Sequence, residues 1–152
     1  MIKNVTAIAK AMKDHYGQDE EKIRRFVNVY TLAKSIGELE KLPAVTQEYL
    51  EIEAITYNID SPNEHISKSD FLKDMMKKLS IDYDIIDRVT FVVENFYEFD
   101  RITGLDHQIL LEVHKLVEFK ECRYPTQKII KETEKYFITN YGKAFVKRAF
   151  NL

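Results

Sequence analysis

Four histidines, one cysteine and 25 carboxylates are the side chains of this 152-residue chain whose chemistry could go beyond solvation. His107 and His114 stand seven residues apart, two turns of one helix. That spacing separates them by about 10 Å along the axis, too far to share one metal ion directly. His15 and His65 fall near predicted helix ends or loops, where a solvated imidazole is the default. Cys122 is alone, so there is neither an internal disulfide nor a thiolate zinc cluster. The Met75-Met76 pair sits at helical spacing and is read as core filler. The 25 acidic residues are matched by 23 basic ones, a balance typical of solvent-facing pairs one helical turn apart. No HExxH, phosphate-binding glycine loop, EF-hand loop or GxSxG motif occurs. Taken singly, these residues describe no site.

The elements that must position them are helices. The apolar fraction is 45%, with 4 Gly and 3 Pro, so a continuous core is affordable and turns are few. A net charge of −2 calls for neither nucleic acid nor an anionic membrane, and Lys143, Lys147 and Arg148 form a solvated helical face. No stretch approaches the ~20 apolar residues of a membrane span. The opening MIKNVTAIAKAMKDHYG lacks a long apolar run and a cleavage pattern. A cytoplasmic protein is expected.

Apolar periodicity predicts a helix through Val5, Ile8, Ala9 and Met12, then one capped by Asp19 with the stripe Ile23, Phe26, Val27, Tyr30, Ala33 and Ile36. Pro43 breaks the chain, and Thr46 is expected to cap a third helix reaching Tyr57. Ser69 or Asp70 opens a fourth carrying Phe71, Leu72, Met75, Met76 and Leu79. Asp82 caps a fifth with Ile85, Ile86, Val89, Val92, Val93 and Phe96 inward. Asp106 starts a sixth, Pro125-Thr126 a seventh, and Thr139 caps the last. No strand alternation, repeat or linker interrupts this pattern. One all-α domain over residues 1–152, with seven to eight helices, is the expected architecture.

Four segments carry a resemblance. VYTLAKSIGELEKL, EAITYNID, the long run SIDYDIIDRVTFVVENFYEFDRITGLDHQILLEVHKLVEF and the tail TNYGKAFVKRAFNL together resemble a small bacterial HD-domain phosphohydrolase, from about Lys22 to the C-terminus. GLDHQILLE is the most specific of these words. The resemblance implies a helical bundle in which His, a His-Asp pair and a distant Asp hold a divalent metal that orients phosphate and activates water. Carried across by position, the first histidine falls on Tyr30 and the His-Asp pair on Tyr57 and Asn58. The middle histidine region falls on Asn95, Phe96 and Tyr97, and the last aspartate on His114.

These replacements remove the ligand chemistry. A phenol, with its pKa near ~10, is a neutral donor and a poor ligand for Mg²⁺ or Mn²⁺. Asn58 offers an amide oxygen without charge, and one imidazole at His114 does not make a site. The short SPNEHISKSD loop after the pair also leaves little chain for a lid. The expectation is a degenerate, non-catalytic HD-like protein with no cofactor, in which Tyr30, Tyr57, Asn58, Asn95 and His114 form a hydrogen-bonded cluster. Its role would be structural, regulatory or ligand-binding, with an unidentified protein or small molecule as partner. The alternative is a metal-dependent phosphohydrolase rebuilt on Asp60, His65, Glu94, Asp100 or His114. Phe96, Tyr97 and Phe99 exceed what one helix face can bury, so one ring is expected at the surface. Dimerisation is common for small helical domains, but no sequence feature marks the surface used.

Overall fold

The computed structural model describes residues 2–152, with side chains from Lys3 onward. It contains eight helices: α1 (Ile2–Tyr16), α2 (Glu20–Leu39), α3 (Ala44–Thr56), α4 (Lys68–Lys78), α5 (Tyr83–Glu94), α6 (Gly104–Glu121), α7 (Thr126–Tyr136) and α8 (Asn140–Phe150). Among the described residues there is no strand, and no helix is long and apolar enough to cross a membrane.

Helix boundaries follow local chemistry. Asp19 accepts from the Lys22 N–H and opens α2, and Thr139 accepts from the Gly142 N–H and opens α8. Three starts differ from expectation. Pro43 itself occupies the N-cap of α3, so Thr46 lies inside the helix; proline tolerates that place because its missing N–H would have no helical partner. Ser67, rather than Ser69 or Asp70, caps α4 by accepting from the Asp70 N–H. α6 begins at Gly104, not Asp106. Gly104 has φ +79°, and an added Cβ would lie 2.9 Å from Asp106 Oδ1 and 3.0 Å from Arg88 Nη2. Glycine alone meets both demands.

α6 is the post around which the others pack. Every residue from Asp106 to Val117 is buried, polar ones included. α2 and α3 lie against it and against each other. Their close approach is set by Gly37, where an added Cβ would meet Leu50 Cδ2 at 2.9 Å. The main core joins α1 to α6 through residues such as Met12, Ile36, Leu50, Leu72, Val92 and Leu110. A smaller core under α7 and α8 gathers Leu116, Phe119, Ile129, Phe137 and Val146. A helix buried all round must satisfy its own polar side chains, and that demand shapes the site.

Candidate functional site

α3 and α6 bring Tyr57 and His114 together. Tyr57 follows the last residue of α3, its N–H donating to Glu53 O at 2.8 Å. Its hydroxyl lies 3.0 Å from His114 Nδ1. Burial pushes the His114 imidazole down to about 4, against a smaller upward pull from Glu118, so the ring is neutral near pH 7. The Glu118 carboxylate, 3.5 Å from Nε2, fixes the ring proton on that nitrogen. Nδ1 is then the acceptor and the Tyr57 hydroxyl donates to it. Burial also raises the Tyr57 phenol, although the Arg25 guanidinium opposes this. Both groups are neutral and mutually satisfied.

Rings complete the cluster. Phe96 lies 4.8 Å from Tyr57, tilted, and 5.1 Å from His114, edge to face. Tyr97 meets His114 edge to face at 5.8 Å while remaining 57% exposed, which supplies the surface aromatic expected from the Phe96–Phe99 run. These are the offset and T-shaped arrangements that the ring quadrupole favours.

The other positions picked out by the resemblance stand apart. Tyr30 is half-buried and donates to Glu51 Oε1 at 3.3 Å. Asn58 is exposed, and its backbone oxygen accepts from the Tyr16 hydroxyl at 3.4 Å. Asn95 Nδ2 donates to Phe91 O at 2.9 Å within its own helix end. The expected Tyr/Asn/His cluster therefore reduces to Tyr57 and His114 flanked by Phe96 and Tyr97.

The reason lies in the rotation of α2. The buried stripe is Phe26, Val29, Ala33 and Ile36, whereas Val27 is 40% exposed. Arg25, five residues before Tyr30 and about 140° around the helix from it, takes the place beside Tyr57. Its guanidinium acts on the Tyr57 phenol, on Tyr97 and on His114. Arg25 Nη1 pairs with Glu121 Oε2 at 3.1 Å, and its buried Nε has no partner. The signal for Arg25 was Val29, which fits the stripe better than Val27 does.

Next to Tyr57 lies a half-enclosed cavity of about 130 Å³, lined by Tyr16, Lys22, Arg25, Tyr57, Asn58 and Asp60 over an apolar floor of Phe26 and Val29. Lys22, Arg25 and Asn58 also line an outer groove that includes Arg24, Asn28 and Glu121. Lys22 is held by Asp60 at 2.6 Å. Burial, then Asp60 and Asp19, raises the Tyr16 phenol to about 12. Every hydroxyl at this cavity is a hydrogen-bond donor in the physiological range.

Three buried charged residues of the neighbourhood were not singled out from sequence. Glu112 is fully buried. It accepts from Thr139 Oγ1 at 2.6 Å, Thr139 N at 3.1 Å, Ile138 N at 3.0 Å and Gln108 Nε2 at 2.7 Å. Lys115 pairs with Glu132 at 3.0 Å and sits over the Tyr136 and Phe99 rings at 4.6 and 5.0 Å. Glu53, one turn before Tyr57, is fully buried beside Asp106. Carboxylates and lysines are so often solvated that position in a helical sequence did not mark them.

A divalent metal does not fit the side chains gathered around His114. The phenol is protonated, the Nδ1 lone pair is occupied and the Arg25 guanidinium already acts on both groups. The alternative ligands do not meet either. Asp60 is tied to Lys22, His65 is solvent-exposed 3.9 Å from Glu64, and Glu94 and Asp100 are exposed. Among the described residues no three His, Cys, Asp or Glu side chains are grouped to hold an ion. Compared with protein-family models, curated proteins and solved structures, the chain matches none.

Proposed function

We propose that this chain is an HD-like domain that has lost its metal centre and works as a non-catalytic binding module, with a small anion as its ligand. The observation that carries this reading is the 3.0 Å contact between Tyr57 and His114. These two positions, 57 residues apart, are ones to which the resemblance assigns metal ligands. Here they satisfy each other, and an aromatic ring, Phe96, packs on both.

The cavity beside them supports the ligand class. Arg25 and Lys22 bring two positive charges, each shared with a carboxylate, Glu121 and Asp60, and the Arg25 Nε is left without a partner. The side-chain amide of Asn58 adds a neutral donor, while the hydroxyl protons of Tyr16 and Tyr57 are held by Asn58 O and His114 Nδ1. A volume of about 130 Å³ admits an oxyanion such as inorganic phosphate or a carboxylate rather than a nucleotide. Water activation would need a general base or a metal, and Tyr57 is too weak an acid to serve. A rebuilt phosphohydrolase needs three or more converging ligands, a requirement no grouping among the described residues supports.

Titration of the isotopically labelled protein with inorganic phosphate tests the reading. The Tyr57 and Asn58 amide resonances are expected to shift saturably in the wild-type protein, with at least tenfold weaker binding in Arg25→Gln. Equal affinity in both proteins, or steady release of phosphate from a phosphomonoester, contradicts it.

A further inference from the structure

One turn before Tyr57 on α3 and about two turns before His114 on α6 lies a second polar contact, whose chemistry is that of a proton. Glu53 is fully buried, and neither of its oxygens receives a hydrogen bond from a donor. The group it faces is another carboxylate, Asp106, itself only 3% exposed. Asp106 is already claimed by Arg88, whose Nε and Nη2 reach its two oxygens at 2.8 Å each. Arg88 also donates to the hydroxyl and the carbonyl of Thr103 in the loop before α6. One guanidinium thus offsets one carboxylate, and the second has no counter-charge.

We propose that Glu53 is held as the neutral acid, and that the proton it shares with Asp106 is a latch on the α3–α6 interface whose removal opens the Tyr57–His114 site. With the proton in place, Glu53 donates to Asp106 and both groups are satisfied. Without it, two carboxylates confront each other in a buried interface, and like charges this close cannot both ionise cheaply. The strain is relieved by parting the helices.

Geometry connects the two contacts. Tyr57 N–H binds the Glu53 carbonyl, so the pair rides on one helical turn. His107 follows Asp106 on α6, and its Nδ1 accepts from the Thr103 N–H at 3.3 Å. The Phe96 ring touches His107 at 6.3 Å as well as Tyr57 and His114. A shift at Glu53 and Asp106 therefore reaches the ring that seals the site.

The groups facing the latch are few. α6 contributes Asp106 and His107, α5 contributes Arg88, and Tyr49 lies one turn earlier on α3, beside Arg88. Among the described residues, no titratable side chain of α1 or α2 acts on Glu53. Burial, then the contact with Asp106, raises the Glu53 carboxyl well above its usual range, and Arg88 opposes this only in part. Burial would raise Asp106 too, but the bonds from Arg88 and Glu53 hold it low. The two directions assign the shared proton to Glu53. A carboxyl raised on folding stabilises the fold fully below its unfolded value, and that stability is lost as pH rises through the folded value.

The test is infrared spectroscopy and ring-nitrogen resonance of the full chain as pH rises from neutrality. The wild-type protein is expected to show the carbonyl stretch of one buried protonated carboxyl at pH 7. That band should vanish on alkalinisation with the same midpoint as a change in the His114 Nδ1 resonance. Glu53→Gln keeps a neutral donor toward Asp106, so it is expected to lack the band and to hold its His114 signal constant over that range. Below the midpoint, down to the ordinary carboxyl range, the wild-type unfolding constant should rise by about tenfold per pH unit relative to Glu53→Gln, and above the midpoint the two should run parallel. Absence of the band at pH 7, or identical pH profiles for the two proteins, overturns the proposal. If Glu53→Gln does not fold, the wild-type band and its shared midpoint with His114 decide the matter. The binding reading is untouched by either result, because phosphate titration at neutral pH reads it separately.

Discussion

The hydroxyl of Tyr57 donates to Nδ1 of His114 across 3.0 Å, the one side-chain hydrogen bond between the positions at which metal ligands were sought. Tyr57→Phe removes the donor and leaves a buried imidazole nitrogen unpaired. A loss of about 1–3 kcal/mol in unfolding free energy is expected by urea denaturation. A change below about 0.5 kcal/mol would mean that water or Arg25 replaces the hydroxyl.

The same histidine sets an acid limb. Burial holds His114 down at about 4, so the folded state binds fewer protons than the unfolded one. The stability this contributes is complete above the ordinary imidazole value near 6.5 and declines as pH falls toward about 4. The loss is of order 3 kcal/mol. His107, also depressed by burial, adds to the slope. Denaturation midpoints measured between pH 7 and 4 should fall in the wild-type protein and fall less steeply in His114→Phe.

Glu112 ties α6 to the start of α8, and Gly142 makes room for it. An added Cβ at Gly142 would overlap the Glu112 carboxylate. Glu112→Ala leaves the buried Thr139 N–H, the part-buried Ile138 N–H and the Thr139 hydroxyl short of a partner. Both Glu112→Ala and Gly142→Ala are expected to cost about 3 kcal/mol or more and to speed hydrogen exchange in α8 before the rest of the chain. Uniform exchange across all helices would contradict this local role.

Helix number and type were legible because amphipathic spacing and caps such as Asp19 and Thr139 are local signals. What sequence concealed was rotation and burial. Val27 and Val29 both suit a core stripe; the helix buries Val29, and Tyr30 packs half-buried against the core away from Tyr57, where Arg25 stands instead. α6 carries Asp106, His107, Glu112 and Lys115 on faces that a helix of ordinary amphipathicity would expose. Only the helices packed around it reveal that each has a partner or a neighbour. Tyr57 and His114 were legible as positions, and their mutual hydrogen bond was among those expected. Asn58 and Asn95 were not brought to it, because one sits past the end of α3 and the other closes its own helix.

That rotation yields a sharper engineering test. A chain with Tyr57→His, Asn58→Asp, His114→Asp and Arg25→His should gain Mn²⁺ affinity over the same triple variant carrying Tyr30→His. Calorimetric titration of the two quadruple variants compares them. Equal affinity would show that Arg25 does not occupy the decisive place.

The most direct measurement is the metal content of the native protein by mass spectrometry, after incubation with Mn²⁺, Fe²⁺ and Ni²⁺ and desalting. A site closed by Tyr57, Phe96 and His114 predicts less than ~0.1 ion per chain and a melting temperature unchanged by chelator. About one tightly held ion per chain, with a melting temperature that chelator lowers, would contradict the account.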